Sequence, residues 1–326
     1  MDSGIDPDLV ARFRANFEQL WPEGGRLGLA VSGGPDSMAL LLLAKAAFPD
    51  MIEAATVDHG LRPESADEAA LVGRVCASLA VPHRVLKVEV GTGNIQHRAR
   101  SARYAALGGW LEERGLEVLL TAHQMDDQAE TLVMRLNRGS GLRGLAGIRA
   151  RTRVPDGDRP LLRPLLGWRR AELEAVVRAG GLPFVDDPSN ADPRFDRVRV
   201  RQALAAADWL VVPGLARSAA LLAEAENVLE FAVGREWSQC VVPHGDGFSY
   251  AALRTGLPGP NLVRIGVIQA AARALGGSLD TGEAAQMASA LLRGQRCNIG
   301  GIAGCTRDAA GERTWLFTRE NPRTTG

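Results

Sequence analysis

One junction limits the folds open to this chain more than any other feature. An apolar run from Leu27 to Val31 ends in Ser32-Gly33-Gly34-Pro35-Asp36-Ser37, and a second apolar run from about Asp36 to Ala47 follows without a linker. The first run has the length of a buried strand and the second the length of a helix. The pattern recurs. Strands are expected at Ile52 to Val57, Arg84 to Val88 and Glu117 to Ala122, and helices at Glu64 to Leu79, Gln96 to Arg114, Asp126 to Leu136 and Trp168 to Ala179. Strands separated by helices of this length form βαβ units. The expected fold class is therefore α/β: a doubly wound, mostly parallel, Rossmann-like sheet with helices on both faces.

At 326 residues the chain exceeds one ordinary core, so two domains are expected. The boundary is placed between Arg201 and Pro213, giving a first domain of 1–205 and a second of 206–326. The second is smaller and mainly helical, with helices at Ala216 to Trp237, Leu262 to Leu275 and Gly282 to Leu292. It ends in strands between Arg296 and Phe317, joined at Ala309-Ala310-Gly311. Hydrophobic residues at 46% and charged residues at 23% exclude a disordered chain. The longest apolar run, Met38 to Ala44, is far short of the ~20 residues that span a bilayer. The segment Met1 to Pro7 lacks both the basic start and the apolar core of a secretory signal. No membrane partner and a cytoplasmic location are the resulting expectations. Cys76, Cys240, Cys297 and Cys305 are scattered without C-x-x-C spacing, which points to free thiols.

The junction also carries chemistry. Two glycines let the backbone approach an anion closely, Ser32 and Ser37 offer hydroxyls, and the start of the following helix favours negative charge. The turn lacks the Gly-Lys-Ser/Thr ending of a Walker loop and does not fit G-x-G-x-x-G. Residues Ser32, Gly33, Gly34, Pro35, Asp36 and Ser37 are the candidate phosphate cradle, and Asp36 is the candidate Mg²⁺ ligand. The bland alternative is a tight turn in which Ser32 or Asp36 merely caps the helix.

A second cluster, Thr121-Ala-His-Gln-Met-Asp-Asp-Gln-Ala-Glu130-Thr131, follows the fourth strand. In a strand order 3-2-1-4-5, strands one and four are neighbours and both clusters open onto one crevice. Asp127 and Glu130, three apart on a helix, share a face that could hold a cation or a metal, whereas Asp126 reads as a helix cap. Formal net charge is zero, and Lys45 and Lys87 are the only lysines. Nine arginines nevertheless fall between Arg138 and Arg170 against Asp156 and Asp158. That segment is either a solvated face or a surface that tracks phosphates.

Ser-Gly-Gly-Pro-Asp-Ser resembles the loop of the PP-loop ATP pyrophosphatases. Val57 to Ser65, Ala99-Arg100, Arg103-Tyr104, Asp126 to Thr131, Gly139 to Leu145, Arg163-Pro-Leu165, Asp186-Asp-Pro-Ser-Asn190 and Arg197, Arg199 and Arg201 narrow the resemblance to the tRNA(Ile)-lysidine synthetase family. The match covers about the first two thirds of the chain, and residues 294–320 resemble that family's small C-terminal domain more weakly. Gln124 stands where the family usually has a second histidine, and Val198 where an asparagine is common.

The resemblance implies ATP and Mg²⁺ as cofactors. Its substrates would be the isoleucine tRNA with a CAU anticodon and free L-lysine, with a homodimer as the oligomeric expectation. It implies ligation of lysine to C2 of the wobble cytidine through an adenylated base, with Asp36, Asp127, Glu130, Arg103 and Arg197 as catalytic residues. Another PP-loop enzyme, such as a tRNA thiolase or a small-molecule amide ligase, and a non-catalytic nucleotide-binding module are the alternatives.

Overall fold

The computed structural model describes residues 5–60, 65–89, 95–185, 192–253, 259, 261–309 and 312–320. Asp186-Asp-Pro-Ser-Asn190, Leu61 to Glu64, Ala310 and Gly311 lie outside the described residues. The chain divides into two compact units, one of residues 1–140 with 144–220 and one of 141–143 with 221–326.

In the first unit, β1 (Leu27–Ala30), β2 (Ile52–Asp58), β3 (His83–Lys87) and β4 (Val118–Leu120) form the parallel part of a six-stranded sheet. Its order is β3-β2-β1-β4-β6-β5, where β5 is Arg151–Arg153 and β6 is Pro160–Leu162. The 3-2-1-4 arrangement is as expected, so the chain reverses its direction of winding between β1 and β4. The fifth neighbour differs: β6 runs parallel to β4, and β5 closes the edge antiparallel to β6. This hairpin lies inside the arginine-rich segment, where charge masks the short strand pattern. It turns where Asp156 adopts φ 58°, a left-handed conformation that Asp tolerates.

Side chains alternate across β4. Val118 and Leu120 join one core with Phe13, Phe17, Leu29, Leu40 and Trp168, while Leu119 joins another with Tyr104, Trp110 and Leu111. The helix α2 (Pro35–Ala47) buries Met38 through Ala44 with no polar face. Such a helix must be covered on all sides. It is covered by α1 (Pro7–Leu20), which sequence reasoning missed, and by α7 (Arg170–Ala179). On the opposite core, α4 (Ile95–Arg114) approaches β1 so closely that a Cβ on Gly28 would lie 2.5 Å from Leu111 Cδ2.

The other first-unit helices with a part in the site are α3 (Ser65–Ser78), α5 (Met125–Asn137) and α8 (Asp196–Ala206). The second unit holds a five-stranded antiparallel sheet, the greater part of the long helix α9 (Val212–Cys240), which the sequence places at Ala216 to Trp237, and the helices α10 (Leu262–Ala274) and α11 (Thr281–Leu292); the short α6 (Leu142–Leu145) falls at the unit boundary. Strands at Cys297–Ile299, Ile302–Ala309 and Glu312–Arg319 were expected; the hairpin Val241–His244 with Gly247–Tyr250 was not, so strand content exceeds the expectation. Among the described residues no helix is long and apolar enough to cross a membrane.

Candidate active site

The ends of β1 and β4 open onto a cleft of about 970 Å³. Ser32, Gly34, Pro35, Asp36 and Ser37 line it from the loop after β1, and His123, Asp127, Arg170 and Arg197 line it as well, together with His59 and Arg103. This is the crevice expected at the switch point of an open α/β sheet.

The loop is shaped by its own short bonds. Gly33 adopts φ 91°, which a side chain would strain, and its carbonyl accepts from Val185 N at 2.9 Å. Ser37 Oγ donates to Gly34 O at 2.9 Å and accepts from Ser32 N at 3.2 Å, with Ser32 Oγ 3.3 Å away. The serine hydroxyls therefore hold the loop as well as facing the cleft. Gly34 is the N-cap of α2 and supplies no side-chain bond, so neither Ser32 nor Asp36 caps it. The first-turn N–H groups of α2 remain open to an anion.

Asp36 is the most conspicuous group in the cleft. Its Oδ1 is buried without a hydrogen-bond partner. Burial pushes its carboxyl up to about 6 and Asp127 adds to the rise, with Arg170 and the Gln124 side chain opposing both. A buried carboxylate oxygen without a donor is costly, and a cation supplied with a ligand would relieve that cost.

The acid motif is organised differently. Gln124 is the N-cap of α5 and accepts from Asp126 N, and Asp127 Oδ2 completes the capping box by accepting from Gln124 N at 3.1 Å. Asp126, expected to be the cap, instead fastens α7. It accepts from Arg169 Nη2 at 2.9 Å, Arg169 Nε at 3.1 Å and Arg170 N at 2.9 Å. Burial would raise the Asp126 carboxyl, but Arg169 and the Arg170 N–H hold it below its usual range.

The cation shared by Asp127 and Glu130 proves to be an arginine of the chain itself. Arg197 Nη2 donates to Asp127 Oδ1 at 2.9 Å and Arg197 Nε to Glu130 Oε2 at 2.7 Å. Glu130, 1% exposed, also accepts from Arg201 Nε at 2.7 Å and Arg170 Nη2 at 3.3 Å. Burial raises both carboxyls. In Asp127 that effect outweighs Arg197, whereas in Glu130 the bonds to Arg201 and Arg197 reverse it and hold the group below its usual value. Asp127 lines the cleft; Glu130 and Gly33 stand behind its wall.

Sequence reasoning saw the arginine series but not the helix beneath it. In α8, Arg197 and Arg201 lie one turn apart and point at α5, while Arg199 pairs with Asp196 at the surface. Val198 is buried on that helix. The i, i+4 spacing of 197 and 201 was the available signal.

Arg103 crosses from α4, its guanidinium 5.1 Å from the Tyr104 ring centroid and its Nε buried without a partner. His123 Nδ1 is 3.0 Å from Thr121 Oγ1. Burial, then Arg163 and Arg103, push the His123 ring down to about 3, so it is neutral at physiological pH. His59, lining the same cleft, is lowered by burial and by Arg103.

The basic segment from Arg138 to Arg170 is not one surface. Arg163 is buried and donates to Arg149 O at 2.6 Å, and Arg169 and Arg170 turn inward to the acids of α5. Arg138, Arg143 and Arg153 remain outside, with side chains 62%, 76% and 71% exposed. Arg170 and Glu174, both lining the cleft, were missed as site residues. Two arginines at a helix start oppose the macrodipole, and that conflict was the sign that acids answered them elsewhere.

An open α/β sheet with a tight, non-Walker loop at its switch point is the layout of a PP-loop protein, and a PP-loop domain model matches residues 7–207. A tRNA(Ile)-lysidine synthase of Novosphingobium aromaticivorans is 45% identical over 95% of this chain and 93% of that protein. One of Zymomonas mobilis is 39% identical over 93% and 91%. The chain belongs to the tRNA(Ile)-lysidine synthase family. A U34-tRNA thiolase from Methanococcus maripaludis shares the fold at a TM-score of 0.54 and 16% identity, over 68% of this chain and 79% of that one.

Proposed function

We propose that the chain joins L-lysine to C2 of the wobble cytidine in the isoleucine tRNA with a CAU anticodon, consuming ATP and releasing AMP and pyrophosphate. The observation that carries this reading is the convergence, in one cleft, of an anion-ready loop and an acid and arginine cluster. The relatives' names supply the substrate.

In this reading the loop from Ser32 to Ser37 holds the phosphates through backbone N–H groups. Asp36 Oδ1, buried without a hydrogen-bond partner, fits Mg²⁺. Among the described residues no three His, Cys, Asp or Glu side chains gather as a metal site, so the remaining ligands would come from phosphate and water, as Mg²⁺ prefers. The ion would supply charge neutralisation at the phosphates. The 2-oxo group of cytosine attacks the α-phosphate and pyrophosphate leaves; the lysine ε-amine then attacks C2 of the adenylated base and AMP leaves. Arg103 and Arg197 suit the base edge, the lysine carboxylate or the leaving phosphate. Asp127, in the cleft wall, is the carboxylate that can meet the ε-ammonium and help free its nucleophilic form. Glu130 acts through Arg197 and Arg201 and is a positioning residue.

The functional division into a catalytic part at 1–205 and a tRNA-holding part at 206–326, a cytoplasmic location and a homodimer belong to the same proposal. A thiolase reading is disfavoured because Cys76, the one cysteine of the first unit, is packed in the core with its thiol pushed up to about 12 by burial. The test is incubation with unmodified tRNA, labelled lysine and ATP followed by nucleoside analysis. Labelled lysidine is expected, and release of pyrophosphate without any labelled nucleoside would overturn the assignment.

A further inference from the structure

Arg170 occupies a position in the cleft that none of the roles above uses. Its backbone is fixed, because Arg170 N donates to Asp126 Oδ2 at 2.9 Å and the neighbouring Arg169 grips the same carboxylate. Its side chain is not fixed to the same degree. Arg197 and Arg201 each reach Glu130 at 2.7 Å, but Arg170 Nη2 is divided between Glu130 Oε1 at 3.3 Å and Asp127 Oδ1 at 3.7 Å. Among the described residues its guanidinium makes polar contacts through Nη2 alone, which leaves Nε and Nη1 uncommitted.

The surroundings favour an anion there. Arg170 lines the cleft together with Pro35 and Asp36, and its helix α7 packs against α2, the helix that begins at the loop. Glu130 keeps two short charge-assisted bonds if Arg170 turns away, so the cost of releasing it is small. A guanidinium presents a planar fork of donors that matches phosphate oxygens.

We propose that Arg170 binds the triphosphate of ATP directly, its uncommitted donors taking β- or γ-phosphate oxygens across the cleft from the phosphate loop. The inference rests on the adenylation reading, in which ATP occupies that loop. The contact is made to phosphates that depart as pyrophosphate, so it serves ATP and not AMP.

The test is equilibrium calorimetry on the full chain with Mg²⁺ and either α,β-methylene ATP or AMP. Arg170→Ala should weaken the ATP analogue about tenfold or more while changing AMP affinity less than about twofold. Arg170→Lys should retain most of the analogue affinity, because a point charge still serves a phosphate. Equal affinity for the analogue in wild type and Arg170→Ala, or an equal loss for analogue and AMP, overturns the proposal. If Arg170→Ala fails to unfold cooperatively, the same ratio measured with Arg170→Gln and Arg170→Lys decides. Failure of the wild-type chain to bind the analogue at all would instead sink the adenylation reading, and this inference with it.

Discussion

The two sides of the cleft are built on opposite principles. On the α5 side, the carboxylates are matched to guanidinium groups or backbone N–H: Asp126 to Arg169, Asp127 to Arg197 and Gln124 N, and Glu130 to three arginines. On the loop side, Asp36 Oδ1 is buried without a donor, and the cap of α2 is a glycine that satisfies nothing. A satisfied cluster fixes geometry, whereas an unsatisfied one is a place where a ligand completes the structure. The protonation behaviour follows. Burial acts on both Asp36 and Glu130, but only Glu130 has the partners to reverse it.

The contrast is broken most directly at Asp36. Asp36→Ala should lower lysidine formation roughly a thousandfold while leaving tRNA binding nearly intact, because it removes the loop's one acid from the cleft. A near-normal rate in a single-turnover assay would show that the open side of the cleft is not where ATP reacts.

Glu130→Gln sharpens it from the other side. It leaves Arg170, Arg197 and Arg201 facing a neutral amide and should cost about 3 kcal/mol in urea unfolding. The depressed Glu130 carboxyl stabilises the fold above its unfolded value of 4.5, and that contribution is lost as pH falls through the lower folded value.

Asp36 has the opposite sign. Its carboxyl rises from 3.8 to about 6, so the ionised form works against the fold above about pH 6 and the penalty vanishes below 3.8. Asp36→Asn should therefore stabilise the ligand-free chain by on the order of 2 kcal/mol at neutral pH and flatten its stability profile between those values. Loss of stability in a thermal melt at pH 7.5 would mean that Arg170 and Gln124 outweigh burial at Asp36 in the resting protein.

Smaller effects test the clamp and the surface. Asp126→Ala should cost about 1 to 2 kcal/mol by releasing the start of α7. Arg138→Ala and Arg153→Ala, outside the cleft, should each change stability by less than about 0.5 kcal/mol. Each should reduce the salt slope of tRNA binding by about one or less. An unchanged slope would make these exposed arginines a solvated face.

Much of the fold was legible because its signals are local. The apolar runs of β1, β2 and β4, the loop between β1 and α2, and the lengths of α3 to α5 lie within single windows of sequence. What was missed had a conflicting local signal. The β5 and β6 hairpin is hidden by arginines, α8 begins beyond a Pro, Asp and Asn cluster, and α1 is an ordinary amphipathic helix with Phe13 and Phe17 as its only buried residues.

The amino-acid order alone determined that a strand must turn into a helix at Ser32-Gly33-Gly34-Pro35-Asp36-Ser37, since those residues permit a tight anion-ready bend and nothing longer. It also placed Asp127 and Glu130 on one helical face. Tertiary structure decided what that face holds. Arg170, Arg197 and Arg201 reach α5 from two helices distant in sequence, and long-range pairing of charges depends on which elements pack together, a property no local window contains.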